Sequence, residues 1–215
     1  MEIYVKEFIQ LLLAENEKQN LISRRAGVEE VKRHIEDSLQ VLEWVCLAGT
    51  DIVDIGSGAG FPGLILAMAC PQSRFTLIEA DLKKSSFLEL VSKDLGLKNV
   101  EVTRERAEVL GQSDYNRARY DFCTSRAVAA MNVVLEYGLP LIKVEGEVLL
   151  WKGRHFQQEI DEAEVALEIL GGSVEDVYCY NLMDEWDRAI VAVKKVRPTP
   201  EKYPRRVGAP SKKPL

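Results

Sequence analysis

The sequence has little of what marks several large classes of protein. Its 215 residues include only four cysteines and two histidines, and no two cysteines have the spacing of a CxxC metal or redox motif. No apolar run approaches the roughly 18 residues of a membrane span. Residues 1–7 contain two acids, where a secretory signal needs a basic start and an apolar block. We therefore expect a cytoplasmic protein without a membrane segment or a metal site.

The cysteine and tryptophan side chains are also expected to pack in the core. Each cysteine lies in an apolar stretch, which is typical of a reduced core residue in a reducing compartment. Tryptophan more often packs in a core than stacks on a base. The residues predicted to pack in this way are Cys46, Cys70, Cys123, Cys179, Trp44, Trp151 and Trp186.

The charge balance excludes a generally basic nucleic-acid binder. Lys and Arg number 28 against 34 Asp and Glu, a net charge of −6, so only local basic patches could meet a polyanion. One such patch is the proline-rich segment 197–215, which carries +5 while the rest of the chain carries −11. Its prolines predict an extended tail without a regular element.

Between its two ends the chain alternates strand and helix patterns. Strands are predicted at 51–55, 74–79, 99–103, 120–124 and 147–151, with a closing hairpin at 174–180 and 189–193. Helices are predicted at 61–70, 83–95, 105–111, 128–139 and 156–170, preceded by amphipathic helices at 3–14 and 28–45. This order predicts an α/β fold, a mostly parallel seven-stranded sheet with an antiparallel C-terminal edge. The predicted divisions are a helical extension at 1–47, a ligand-binding domain at 48–196 and the tail at 197–215.

A glycine loop, DIGSGAGFPG, follows the first strand and opens a helix. Gly58, Gly60 and Gly63 satisfy the GxGxxG pattern of dinucleotide sites. Asp54, Gly56, Gly58 and Gly60 equally fit the DxGxGxG pattern of S-adenosylmethionine (AdoMet) sites. In either case the missing side chains let the backbone pass close beneath a ligand.

Three acidic positions refine this prediction. Glu79 ends the second strand, where a carboxylate can accept hydrogen bonds from both ribose hydroxyls of an adenosine. Asp54 would repel a pyrophosphate but not a sulfonium or an amino-acid group, which favours AdoMet over NAD. Ala107 and Glu108 follow the third strand, where a methyltransferase can contact adenine.

Several segments together resemble the RsmG (GidB) family, bacterial methyltransferases that make 7-methylguanosine in 16S rRNA of the small ribosomal subunit. The segments are Asn20-Leu21, residues 33–39, the glycine loop, Arg106-Ala107-Glu108, Ser125-Arg126-Ala127, Lys152-Gly153 and the tail from Lys202. The resemblance implies a class I, Rossmann-like fold that binds AdoMet. It places cofactor contacts at Gly56, Phe61, Glu79, Ala80, Asp81, Ala107, Glu108 and Arg126.

The implied reaction needs no general base, because guanine N7 carries a lone pair and no proton. Arg126 and Lys152 lie at the ends of predicted strands and are the candidate catalytic residues. Arg126 could hold the AdoMet carboxylate or steer a phosphate. The residues expected to contact RNA are Arg24, Arg25, Arg33, His34, Lys152, Arg205 and Arg206.

Two other functions remain open at this stage. An NAD-dependent oxidoreductase would use the same glycine loop, although no Tyr-Lys pair or His is suitably spaced to donate a proton. A non-catalytic RNA- or ribosome-binding domain could retain a vestigial pocket. For the tail we expect contact with RNA phosphates in preference to docking on the acidic body, because an acidic protein needs local positive charge to approach RNA.

Overall fold

A computed structural model shows one seven-stranded sheet and describes residues 2–182 and 186–215, excluding the side chains of residues 186 and 187. The strands are β1 (Asp51–Ile55), β2 (Arg74–Ile78), β3 (Val100–Thr103), β4 (Tyr120–Arg126), β5 (Ile142–Gly153), β6 (Gly172–Leu182) and β7 (Trp186–Lys195). Their order is β3-β2-β1-β4-β5-β7-β6. The first five strands run parallel, and β7 joins β5 and β6 antiparallel. The predicted parallel sheet and its antiparallel edge are confirmed.

Helices cover both faces of this sheet. In the described residues they are α1 (Glu2–Asn16), α2 (Val28–Leu39), α3 (Gly63–Ala69), α4 (Leu82–Asp94), α5 (Ala107–Gly111), α6 (Met131–Gly138), α7 (Phe156–Glu162), α8 (Glu164–Leu170) and α9 (Ala209–Lys212). Successive residues of a strand point to opposite faces. Ile52 of β1 accordingly joins one apolar cluster and Val53 the other. No helix in the described ranges is long and apolar enough to cross a membrane.

The N-terminal helices share a core with the sheet. Phe8 of α1 is fully buried, and its ring centroid lies 5.6 Å from that of Phe61 at the start of α3. Leu12 of α1 and Val31 of α2 are buried in the same cluster. The helical extension therefore packs against the glycine loop that precedes α3.

Several predicted helix bounds are corrected by the structure. The helix predicted at 28–45 ends at Leu39 and continues as a 3₁₀ turn, Gln40–Glu43. The helix predicted at 61–70 spans only Gly63–Ala69, with Pro62 as its N-cap and Cys70 as its C-cap. The helix predicted at 156–170 divides at Ala163, whose N–H bonds to Ile160 O in a tightened turn.

The expectation of an extended tail without a regular element is wrong, whereas contact of the tail with RNA stays a prediction. The segment docks on the body, with Tyr203 and Pro210 buried, and forms the short helix α9. Proline fixes φ but leaves its ring free to pack, so a proline-rich sequence can still cover a surface. The composition gave no sign of the buried acids to which this segment binds.

The prediction that the cysteines and tryptophans pack in the core holds for some of these residues. Cys123 and Trp151 are buried, but Cys46 and Cys179 are exposed and Cys70 is half-buried. Trp44 is 40% exposed and stacks on Tyr178 with 5.1 Å between ring centroids. The side chain of Trp186 lies outside the described residues.

Candidate ligand-binding cleft

A cleft of about 240 Å³ opens at the carboxyl ends of β1 to β4. Open α/β sheets bind ligands at this edge, where the strand order reverses. The reversal here lies between β1 and β4. The cleft is lined by Ile55, Gly56, Ile78, Glu79, Ala80, Glu105, Arg106, Ala107, Glu108, Val128, Ala129, Tyr137 and Ser211.

The glycine loop reaches the cleft at Gly56, where no side chain can be accommodated. Gly56 has φ 68°, and a Cβ added there would lie 2.4 Å from Val128 Cγ2. The Gly56 and Ser57 amides both donate to Ile78 O, at 2.9 and 3.1 Å, which fixes the loop to β2. At Gly56 the loop thus presents bare backbone to the cleft.

Glu79 lies directly after β2 and links the loop to the next helix. Its Oε2 accepts from Gly58 N at 2.9 Å and its Oε1 accepts from Asp81 N at 2.8 Å. A carboxylate offers about four acceptor positions, so both oxygens retain capacity for hydroxyl donors. The side chain is 9% exposed and lines the cleft, which suits the ribose-binding position expected for it.

Ala107 and Glu108 begin α5, at the other end of the cleft. Both are buried and both line it. Glu108 Oε1 accepts from Gly208 N at 2.9 Å, so a residue of the tail orients this carboxylate. The predicted cleft residues at Gly56, Glu79, Ala80, Ala107 and Glu108 therefore come together around one opening.

Asp54, by contrast, lies behind the loop and is fully buried. Its Oδ1 accepts from Thr124 Oγ1 at 2.6 Å, and its side chain fills the space that a Cβ at Gly63 would need. Burial raises the pKa of Asp54 from 3.8 to about 6, although the Thr124 bond opposes this. The expected cofactor contact at Asp54 is corrected to a buried support for the start of α3.

Gly58, Gly60, Phe61 and Asp81 also lie outside the residues that line the cleft. Phe61 is buried between the Phe8 ring and the His34 ring, whose centroid is 5.2 Å away. Asp81 caps α4 by accepting from the Lys83 and Lys84 amides. These residues shape the loop and its neighbours.

Arg126 is the centre of a buried polar cluster. Its Nη1 donates to Asp37 Oδ2 at 2.6 Å and to His34 O at 3.2 Å, and its guanidinium lies 5.0 Å from the Phe61 ring centroid. Tyr180 Oη donates to the other oxygen of Asp37 at 2.7 Å. The side chain of Arg126 is only 11% exposed and bridges α2 to β4, while its contact with the cofactor or a phosphate stays a prediction.

Lys152 is likewise held by a neighbouring carboxylate. It is 8% exposed, and its Nζ donates to Glu159 Oε2 at 2.6 Å. Glu159 Oε2 also accepts from Met131 N at the start of α6. Through Glu159 this lysine helps to order the start of α6 and α7, and its contact with an RNA phosphate stays a prediction.

The predicted RNA contacts thus divide into exposed and engaged groups. Arg24, Arg25, Arg33 and Arg206 are exposed. His34 is half-buried, and burial together with Arg126 lowers its pKa from 6.5, which favours the neutral ring. Arg205 forms an ion pair with buried Glu136 at 2.6 Å, and its phosphate contact stays a prediction.

Sequence reasoning missed the far wall of the cleft, which Tyr137 and Ser211 form. Their hydroxyl oxygens are 2.9 Å apart, although the residues are 74 positions apart in sequence. No local pattern links a helix to a distant tail in this way. Val128 and Ala129 were more accessible to prediction, because they follow β4 at the same edge of the sheet.

The cleft fits an adenosine-containing ligand. It combines a bare backbone loop, a carboxylate at the end of β2 and polar groups after β3, which is the arrangement that adenine-ribose ligands use on such sheets. Within the described residues no group of three or more His, Cys, Asp or Glu side chains is arranged to hold a metal ion.

Comparison with known sequences identifies close relatives. Residues 2–190 match the GidB family model, described as rRNA small subunit methyltransferase G. Ribosomal RNA small subunit methyltransferase G from Syntrophomonas wolfei is 54% identical over 100% of both chains. The protein of the same name from Carboxydothermus hydrogenoformans is 42% identical over 98% of this chain and 90% of its own.

Comparison with solved structures identifies the fold. M. jannaschii TYW2 in complex with AdoMet matches with a TM-score of 0.61 and 14% identity, over 76% of this chain and 77% of its own. A SAM-dependent methyltransferase from Aquifex aeolicus matches with a TM-score of 0.58 and 18% identity, over 75% of this chain and 91% of its own. The predicted class I, Rossmann-like methyltransferase fold is confirmed.

Proposed function

The chain belongs to the GidB family, rRNA small subunit methyltransferase G, and from this premise we propose that it methylates N7 of one guanosine in 16S rRNA. As a member of the family it is an AdoMet-dependent rRNA methyltransferase. The proposal adds the small subunit as its partner, the base and ring position as its target, and the cytoplasm as the site of reaction.

The observation that carries the proposal is the cleft between the glycine loop and α5. Gly56 and Glu79 lie at one side and Ala107 and Glu108 at the other. We assign Glu79 to the ribose hydroxyls, Gly56 to the backbone that passes beneath the ligand, and Ala107 with Glu108 to the base. Bound AdoMet supplies an electrophilic methyl group on a sulfonium.

The residues of this chain then act by positioning the guanine and the methyl donor. Guanine N7 attacks with a ring lone pair, so no proton has to be removed and alignment is the main requirement. Arg126 holds α2 through its ion pair with Asp37, and its guanidinium lies over the Phe61 ring beside the glycine loop. We therefore treat Arg126 and Lys152 as positioning residues and assign neither to the reacting atoms.

Chemistry at other bases finds less support in the chain. Methylation of cytosine C5 requires a nucleophilic cysteine. Cys123 is fully buried, and burial raises the pKa of its thiol well above the usual value, away from the reactive thiolate. The sequence after β4 reads Ala127-Val128-Ala129, without the Asn/Asp-Pro-Pro-aromatic loop commonly used for exocyclic adenine amines.

For the RNA we propose contact through exposed arginines on and before α2. Arg24, Arg25 and Arg33 are exposed, and α2 is bound to the end of β4 through Asp37 and Arg126. Arginines at the rim of a site position a nucleic acid by binding its phosphates, while the pocket selects the base.

The experiment measures labelled methyl transfer from AdoMet to small ribosomal subunits reconstituted with unmodified 16S rRNA transcript. The wild type should add one methyl group per subunit. Glu79→Ala should lower the rate at limiting AdoMet by about tenfold to a hundredfold, because it removes charge-assisted hydrogen bonds.

Glu89→Ala is the matched control, since Glu89 is an exposed acid on α4 and should leave the rate unchanged. Wild-type protein that transfers no methyl group to the subunit would contradict the proposed function. Glu79→Ala with the wild-type rate would contradict the assignment of the cleft.

A further inference from the structure

The tail follows a fixed path across the body before it reaches the cleft. Arg117 holds it by donating from Nη1 to Tyr203 O at 2.7 Å and from Nη2 to Thr199 O at 2.8 Å. Gln112 Nε2 donates to Pro204 O at 2.7 Å. Side chains of the body thus bind successive carbonyl groups of a segment that lacks a regular ladder.

A buried ion pair then anchors the tail at its middle. Glu136 of α6 is fully buried, and its Oε1 accepts from Arg205 N at 2.8 Å and from Arg205 Nε at 2.9 Å. Its Oε2 accepts from Arg205 Nη2 at 2.6 Å. Release of the tail would leave a buried carboxylate without this cation, which is strongly unfavourable.

Beyond this anchor the chain turns back towards the cleft. Gly208 has a left-handed φ of 77°, and its N–H donates to Glu108 Oε1 at 2.9 Å. Three residues later, Ser211 Oγ lies 2.9 Å from Tyr137 Oη. At the chain end, Asn132 Nδ2 donates to Leu215 O at 3.2 Å.

These contacts place the tail at the α5 end of the cleft. Ser211, Tyr137, Ala107 and Glu108 line the same opening as Gly56 of the glycine loop. The wall therefore carries two hydroxyl groups, each able to donate and to accept, beside a carboxylate that the tail orients. An adenine edge, which has an amine donor and ring-nitrogen acceptors, is complementary to such a wall.

We propose that Ser211 and Tyr137 form the base-recognising wall of the AdoMet site, so that the tail completes the cofactor pocket. This inference rests on the proposed function, because it takes the ligand of the cleft to contain adenosine. It assigns to the tail a role in cofactor affinity, although Ser211 lies 74 positions from Tyr137 and the tail carries no glycine motif.

The test is calorimetric binding of S-adenosylhomocysteine to the full-length chain. Ser211→Phe would fill the α5 end of the cleft and should weaken binding by at least about tenfold, which is 1.4 kcal/mol. Lys212→Phe is the matched control, because Lys212 is the exposed neighbour in the same short helix and does not line the cleft. It should bind as the wild type does.

Ser211→Ala tests the hydroxyl itself with little risk to folding. It should weaken binding about two- to tenfold, the effect of one hydrogen bond. It should also reduce the preference for S-adenosylhomocysteine over S-inosylhomocysteine, which differs at position 6 of the base. A structural effect of the tail alone would not change this ratio.

Wild-type affinity in folded Ser211→Phe, or an unchanged base preference in Ser211→Ala, would overturn the inference and leave the proposed function intact. Failure of the wild type to bind S-adenosylhomocysteine would overturn the proposed function and this inference with it. A melting curve for each variant separates loss of binding from loss of fold.

Discussion

Two buried carboxylates hold the two ends of the chain to the sheet, and they do so in different ways. Asp37 of α2 is bound by Arg126 of β4 at 2.6 Å and by Tyr180 of β6 at 2.7 Å. Trp151 of β5 donates its indole N–H to the backbone oxygen of Asp37 at 2.8 Å. Glu136 of α6 is bound by Arg205 of the tail through its backbone N–H and its guanidinium.

The difference concerns how many elements depend on each acid. Asp37 connects the N-terminal helices to four strands, because Arg188 of β7 also lies 4.0 Å from its Oδ1, so the helical extension is part of the frame that holds the glycine loop. Glu136 connects α6 to the tail through one residue. Replacement of Arg205 removes the one cation that pairs with Glu136, whereas replacement of Asp37 removes the common partner of several side chains.

Removal of Asp37 should have the largest effect on stability. Asp37→Ala leaves the Arg126 guanidinium buried without its carboxylate partner, which should lower the free energy of unfolding by about 3–5 kcal/mol. Urea unfolding measures the change. Glu36→Ala, at the exposed acid next to it on α2, is the control and should have little effect. Equal stability of the two variants would show that the cluster does not fix α2.

Asp54 sharpens the comparison, because it is a buried acid whose carboxylate accepts from a hydroxyl, Thr124 Oγ1, and whose pKa is raised to about 6. As pH rises above about 4 the unfolded chain releases this proton first, so stability falls until the folded carboxyl also ionises near pH 6. A difference of about two between the pKa of Asp54 in the folded and in the unfolded chain corresponds to about 3 kcal/mol of stability.

The measurement compares wild type with Asp54→Asn between pH 4 and pH 7. The asparagine cannot titrate, so the difference in free energy of unfolding should change by about 3 kcal/mol across this range in favour of the variant. Asp94→Asn, at an exposed position of α4, should give a nearly constant difference. A flat difference for Asp54→Asn would mean that Asp54 titrates at its usual pKa.

The Glu136 pair should give the smallest of the three effects, since Arg205 is 29% exposed and water can replace part of its contact. Arg205→Met should lower the free energy of unfolding by about 2 kcal/mol, and Arg206→Met, at the exposed neighbour, should change it little. The double variant Glu136→Met with Arg205→Met should recover most of the loss, because it removes the unpaired charge. If the double variant is less stable than Arg205→Met, burial of this charge is not the cause.

Much of the frame of the site could be predicted from the sequence. The period of apolar residues indicated the parallel sheet, and the glycine loop with Glu79 indicated which edge binds the ligand. These features depend on neighbours in sequence or on one strand and its following loop. The predicted positions of Gly56, Glu79, Ala107 and Glu108 in one cleft follow from the topology alone.

The roles of Arg126, Lys152 and Arg205 could not be predicted in this way. The sequence does not distinguish a solvated charge from a paired one, and the partners of Arg126 and Arg205 lie 89 and 69 positions away. Their contact with ligand or RNA was predicted only because Arg126 and Lys152 lie at the ends of strands and Arg205 lies in a basic segment. The docking of the tail was missed for the same reason, because nothing local in the sequence indicates that Glu108 and Glu136 bind it.

The most direct test of the account is the identity of the methylated nucleoside. Small subunits carrying unmodified 16S rRNA are treated with the wild-type protein and AdoMet, and the digested RNA is analysed by mass spectrometry against nucleoside standards. The account predicts 7-methylguanosine in the treated sample and its absence when AdoMet is omitted. A methylated adenosine or cytidine in place of 7-methylguanosine would contradict it.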